Sequence, residues 1–143
     1  MTVRLIVLAA TLGLACLSGP ALAGPAGASH AAACVAALKA QEADLAVSVK
    51  AGEPHEPALL KVVRSGIAII GTQYLAGLRE GEARELLKAA EHDFQALAPQ
   101  EAQARQSMCL QEGERLYAKA SPLEQSLITT AAQRRVRRLT TSS

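Results

Sequence analysis

Aromatic residues are almost missing from this chain: there is no tryptophan, and two tyrosines and one phenylalanine occur in 143 residues. Tyr74, Phe94 and Tyr117 are too few to line an aromatic pocket, to stack on sugar rings or to interleave cations along a single nucleic-acid strand. Histidine is scarce as well. His30, His55 and His92 are the whole set, and no two stand four residues apart as zinc chemistry on a helix requires. Neither C-x-x-C nor C-x-x-C-H occurs, which removes a thioredoxin-type pair and covalent haem attachment. Met108 is the one methionine after Met1, so a His/Met haem would rest on a single candidate. The nucleophile signatures G-x-S-x-G and S-x-x-K are absent too.

Charge is missing from the start of the chain. Arg4 is the only charged residue before Lys39. Leu5 to Leu17 is an apolar run of 13 residues, shorter than the roughly 18 needed to span a bilayer. Ser18-Gly19-Pro20 breaks it, and Ala21-Leu22-Ala23 has the small-x-small form of a cleavage site. Residues 1–23 are therefore expected to be a cleaved export signal. A rival reading has Cys16 lipidated, but Gly13 stands where the motif Gly13-Leu14-Ala15-Cys16 would need a large apolar residue.

Cleavage after Ala23 removes Cys16 and leaves Cys34 and Cys109. An even number of cysteines in an exported chain predicts one disulfide, Cys34–Cys109, and a destination in the periplasm or outside the cell. His30-x-x-x-Cys34 and Gln106-x-x-Cys109 make a poor metal set, and no metal or cofactor is expected.

What remains is rich in alanine and leucine, with little β-branched alternation, so helix propensity dominates. The expected fold is all-α: a disulfide-clamped bundle of four to five helices in a single domain over 30–139. Residues 24–29 are expected to form a flexible mature N-terminus and 140–143 a disordered C-terminus. The first helix is expected over 30–50, with Ser29 as N-cap and Gly52 as stop. The second, over 57–79, is the most apolar and reads as the central helix. Leu59, Val63, Ile67, Ile70, Tyr74 and Leu78 share one of its faces. Gly66, Gly71 and Gly77 inside it cost propensity and point to close helix approach. A third helix over 82–97 turns Ala83, Leu86, Leu87 and Phe94 inward. The fourth, over 100–119, places Gln106, Cys109, Gly113 and Leu116 on one seam. Ser121-Pro122-Leu123-Glu124 is a capping box that opens a fifth helix over 122–139, with Leu123, Leu127, Ala131, Val136 and Leu139 expected inward.

The acidic residues near Gly81 (Glu80, Glu82, Glu85) and on the fourth helix (Glu112, Glu114) have arginines close in sequence and read as surface ion pairs. Glu91-His92-Asp93 reads as a solvated helical face. The one concentrated charge feature is Arg134, Arg135, Arg137 and Arg138, a basic end on a mildly acidic body. These four are candidate contacts for an anionic lipid or an acidic partner, or else simply complement the helix dipole.

No enzyme signature emerges, and the expected role is protein–protein interaction with a partner in the cell envelope. Small exported helical immunity proteins, which block amidase toxins, illustrate the class. The layout of Cys34-Val35 and Cys109-Leu110 loosely resembles theirs, over no extended motif. Two alternatives belong to other classes: a bundle binding lipid or a small apolar ligand, and an envelope-associated protein using the arginine-rich helix. Nucleic acid is disfavoured, and no transmembrane helix is expected in the mature chain. The compartment and the clamp share one check. Thiol titration of the exported protein, unfolded without reductant, should find no free thiol, and two thiols per chain would remove both.

Overall fold

The computed structural model describes residues 24–141. The expected export signal, with Cys16, and the last two residues lie outside the described residues. Five helices follow one another: α1 (Pro25–Lys50), α2 (Glu56–Leu75), α3 (Glu80–Gln95), α4 (Pro99–Lys119) and α5 (Pro122–Thr141). No strand occurs among the described residues, and the fold is the expected all-α bundle. The connections are short, yet only some successive helices pack on each other: α1 lies against α2, whereas α3 packs on α1.

α1 starts earlier than the Ser29 cap implies. Pro25 occupies the first turn, where its fixed φ suits a helix and its missing N–H costs nothing. Ala28 is buried, so packing extends the helix through residues read from sequence as a flexible segment. At the other end α5 runs through Thr140 and Thr141, where disorder was expected. Their hydroxyls bond back to the carbonyls of Val136 and Arg137.

α2 stops at Leu75 and not at 79. Gly77 takes φ +100°, and the Leu78 N–H reaches back to the Gln73 carbonyl at 3.0 Å. Together they form a glycine-dependent terminal motif. Gly52, at φ +87°, closes α1 in the same way, with Glu53 N–H on the Ser48 carbonyl. The capping box of α5 is present in both directions: Glu124 N–H donates to the Ser121 hydroxyl, and Ser121 N–H donates to the Glu124 carboxylate at 2.7 Å. The Ser121 bonds hold the Glu124 carboxyl below its usual pKa.

The expected central helix, α2, packs against α1, α4 and α5, but α1 touches all four others. Its buried positions explain this: Ala31, Ala32, Ala36, Ala37 and Ala46 share the interior with Cys34 and Leu38. Alanine reads from sequence as helix propensity, yet its small side chain also lets neighbouring backbones close in on every side. One core layer joins α1, α2 and α4 through Cys34, Leu38, Val62, Ile69 and Cys109. The other joins α1, α2 and α5 through Ala46, Leu59, Val63, Ala132 and Val136.

α5 turns Val136 and the partly buried Leu139 inward as expected and corrects the rest of the set. Ala132 and Val136 are buried, whereas Leu123 is 70% and Leu127 62% exposed, and Ala131 is exposed. Leu123 and Ala132 lie nine residues apart, as do Leu127 and Val136, which is two and a half helical turns. The two apolar rows are on opposite sides of one helix.

Close approach also falls elsewhere than expected. A Cβ on Gly66 or Gly71 would meet nothing within 4 Å. A Cβ on Gly113 would lie 2.5 Å from the Ser65 Cβ and 2.7 Å from the Ser65 carbonyl oxygen. α2 and α4 therefore touch backbone to backbone where Ser65 meets Gly113. Gly113→Ala should destabilise the protein by about 2 kcal/mol, overpacking outweighing the gain in propensity. Gly66→Ala should be neutral or stabilising by up to about 1 kcal/mol. Denaturant midpoints of the two oxidised variants check the contrast.

Candidate functional site

Three places in the bundle collect chemistry or exposed apolar surface. The first is the α1–α4 corner. Cys34 and Cys109 are bonded there, with Cα atoms 5.1 Å apart and a sequence separation of 75. Both are essentially inaccessible, at 1% and 0%. His30 lies one turn before Cys34 on α1, and Glu112 nearly one turn beyond Cys109 on α4. Both pairs therefore share a helix face with their cysteine. The two outer residues meet: His30 Nε2 is 2.8 Å from Glu112 Oε2 and 3.9 Å from Cys34 Sγ. Nearby, the Gln106 side chain donates to the Ala37 carbonyl at 3.4 Å. Donor atoms of His30, Cys34 and Glu112 all lie within 4.8 Å of one another. Sequence spacing missed this set because Glu112 is 82 residues from His30. The i,i+4 spacing of His30 and Cys34 was the visible half of the signal.

The second place lies between α1 and α5. Glu42 is buried at 7%. Arg135 Nε donates to both Glu42 carboxylate oxygens, at 3.0 and 2.9 Å, and its terminal nitrogen adds a 2.7 Å bond. Bonding to Glu42 raises the Arg135 pKa above its ordinary value, against desolvation, which lowers it. Of the four arginines read as one basic end, Arg135 is thus committed to an internal ion pair, and Arg138 is engaged as well. Arg134 and Arg137 are exposed.

The third place is an apolar groove of about 360 Å³ where α2, the end of α4 and α5 meet, lined by Ala68, Gly71, Leu75, Leu116, Leu127 and Ile128. Leu75 is 81% exposed and Tyr74 45%. Leu123 sits one turn from Leu127 on the same exposed row. Sequence reasoning placed Tyr74, Leu123 and Leu127 in the core because their periodicity is that of a buried stripe. Periodicity reports a face, and only packing decides which way the face points.

The other candidates are scattered. His55 pairs with Glu53 in the α1–α2 loop at 3.1 Å, and His92 is exposed on α3. Met108 is exposed on α4. Glu91 pairs with Lys39 across α1 and α3, Glu114 with Lys61 across α2 and α4, and Glu80 with Arg84 within α3. Ser65, fully buried, packs on Gly113. The Arg64 guanidinium stacks over the Tyr117 ring at 4.3 Å, and the Tyr117 hydroxyl bonds Thr129 at 2.9 Å. That chain ties α2, α4 and α5 together. No described helix is long and apolar enough to cross a membrane.

Compared with models of known protein families, with curated proteins and with solved structures, the chain matches none. The class its structure defines is the broad one, a five-helix bundle clamped by one disulfide.

The Glu42–Arg135 pair can be separated from the rest of the basic end. Arg135→Met should destabilise the oxidised protein by about 2 kcal/mol. That is below the 3–5 kcal/mol of a fully buried pair, because Arg135 remains partly solvated. Arg134→Met should stay within about 0.5 kcal/mol of the parent. Equilibrium urea unfolding measures both.

Proposed function

We propose that this protein is a small exported helical module that acts in the periplasm or outside the cell by binding another protein, without catalysis. The observation that carries this reading is the groove between α2 and α5. Leu75 and Leu127 line it at 81% and 62% exposure, beside a half-exposed Tyr74, and Leu123, 70% exposed, lies one turn before Leu127. Contiguous apolar surface on a small soluble domain marks a place that something covers.

The shape of the groove argues for what covers it. On α2 its lining falls at Ala68, Gly71, Thr72 and Leu75, and on α5 at Glu124, Leu127 and Ile128. Both rows follow helical spacing, and the α2 row includes the small residues Ala68 and Gly71. The valley therefore suits the apolar face of one helix from a partner protein, anchored by side chains at i, i+3 and i+4. The disulfide, with the apolar run at the start of the chain, supports an exported location.

A second reading has an observation of its own. About 360 Å³ is within the range of small-ligand pockets, so a lipid chain or small apolar molecule would also fit. Against it, the groove offers few polar groups to orient a ligand. The interior beneath is closed where Ser65 meets Gly113.

Crosslinking and affinity capture from the native envelope fraction separate these readings. The parent protein should capture one consistent protein, Leu75→Asp/Leu127→Asp should lose it at least about tenfold, and Arg134→Gln/Arg137→Gln should keep it. Retention by the leucine variant overturns the groove reading. Loss with the arginine variant, together with salt-sensitive liposome binding, favours envelope association through the basic helix. Lipid retained in native mass spectra favours the ligand-binding alternative. A dimer broken by the leucine variant makes a second copy of this chain the occupant.

A further inference from the structure

We propose that the reduced protein holds a four-ligand site for a thiophilic divalent cation, made by His30, Cys34, Cys109 and Glu112, and that metal and disulfide are alternative clamps between α1 and α4. The inference stands apart from the interaction reading and uses a different part of the bundle.

The donors are already gathered. His30 Nε2, Cys34 Sγ and a Glu112 carboxylate oxygen lie within 4.8 Å of one another, and Cys109 Sγ, bonded to Cys34, is the fourth. Each helix supplies two of them from one face, at i,i+4 on α1 and at i,i+3 on α4. This is how helices present paired ligands to one ion. Two thiolates, one imidazole and one carboxylate form a set that zinc accepts, with metal–ligand bonds of about 2.0–2.3 Å. On a tetrahedral zinc such ligands stand about 3.3–3.7 Å apart, by the same bond lengths. His30 is 2.8 Å from Glu112 and 3.9 Å from Cys34, so these three need small shifts. The two sulfurs must part by rotation of their side chains.

The surroundings suit such an ion. The cysteines are buried, which favours a closed structural site. His30 and Glu112 keep 43% and 18% of their side-chain surface exposed, leaving a path from solvent. Two thiolates, one carboxylate and a divalent ion leave a single net negative charge, and the carboxylate is the ligand among these three that keeps contact with solvent. In the oxidised state the His30–Glu112 contact holds the outer ligands together beside the sulfurs.

The exchange balances. A dithiol reductant gives the disulfide two electrons and two protons and becomes a disulfide itself, leaving Cys34 and Cys109 as thiols. The incoming cation displaces those two protons to water and binds both thiolates, the Glu112 carboxylate and Nε2 of neutral His30, whose ring proton passes from Nε2 to Nδ1 as the metal replaces it beside Glu112. Oxidation by a disulfide donor reverses this and expels the ion.

Cobalt(II) is the probe. Added to the whole protein reduced with a water-soluble phosphine, it should bind one per chain with thiolate-to-cobalt charge-transfer and tetrahedral d–d absorption. Zinc should bleach these bands and slow thiol alkylation at least about tenfold. The oxidised protein should show no charge-transfer band. His30→Ala and Glu112→Gln retain both cysteines, so their folding is checked by circular dichroism in the oxidised state. Each should weaken cobalt binding at least about tenfold in the reduced state. The proposal is overturned by the absence of thiolate–cobalt absorption. It is equally overturned by unchanged affinity in both variants, or by a reduced chain that loses its helices and does not regain them with metal.

Discussion

Cys34 and Cys109 tie α4 to α1, the helix that touches all the others. On α1 the buried positions are largely alanines. Each covers far less apolar surface than a leucine, at about 25 cal/mol per Å² of surface removed from water. Those same alanines let four helices come against α1 at once. A helix of this kind forms readily and is held weakly. A covalent tie compensates by shrinking the unfolded ensemble, by at most about 4.5 kcal/mol for so long a loop. The bond also sets the register of α1 on α4. Given that register, Gln106 reaches the Ala37 carbonyl and His30 reaches Glu112.

α5 is held by different means. Its buried apolar contribution is Ala132 and Val136, too little to choose one angular setting strongly. Polar contacts supply the choice. Arg135 clamps the buried Glu42, and the Thr129 hydroxyl shares a hydrogen bond with that of Tyr117, whose ring carries Arg64. Geometry-demanding pairs of this kind add selectivity to an interface that apolar burial leaves loosely specified.

The fold class, five helices and the disulfide were legible in the sequence because each rests on a local signal: alanine-rich propensity, proline and glycine boundaries, and a pair of cysteines. The capping box at Ser121 and Glu124 was legible for the same reason. What stayed hidden depends on relations between distant residues. Gly113 looked like one more glycine on an apolar seam; only the approach of Ser65, from 48 positions earlier, makes its missing Cβ necessary. Arg135 looked like its three basic neighbours until Glu42 was seen opposite it. α5 carries apolar residues on two sides, and periodicity counted from Leu123 chose the outer side. The groove at Tyr74 and Leu127 was invisible for that reason, since both residues belong to stripes that sequence alone assigns to a core.

The position of the crosslink also gives the molecule a covalent topology. The bond closes a ring that contains the rest of α1 beyond Cys34, all of α2 and α3, and the first half of α4. α5 hangs outside that ring, attached through Ala120 and Ser121. A single backbone cut at 51–55, 76–79 or 96–98 opens the ring yet leaves one connected molecule. The same cut at 120–121 separates α5, and with it the Arg135 that neutralises Glu42 and one wall of the apolar groove. The chain is thus divided into a tethered body and a detachable arm, and the groove lies along the seam between them.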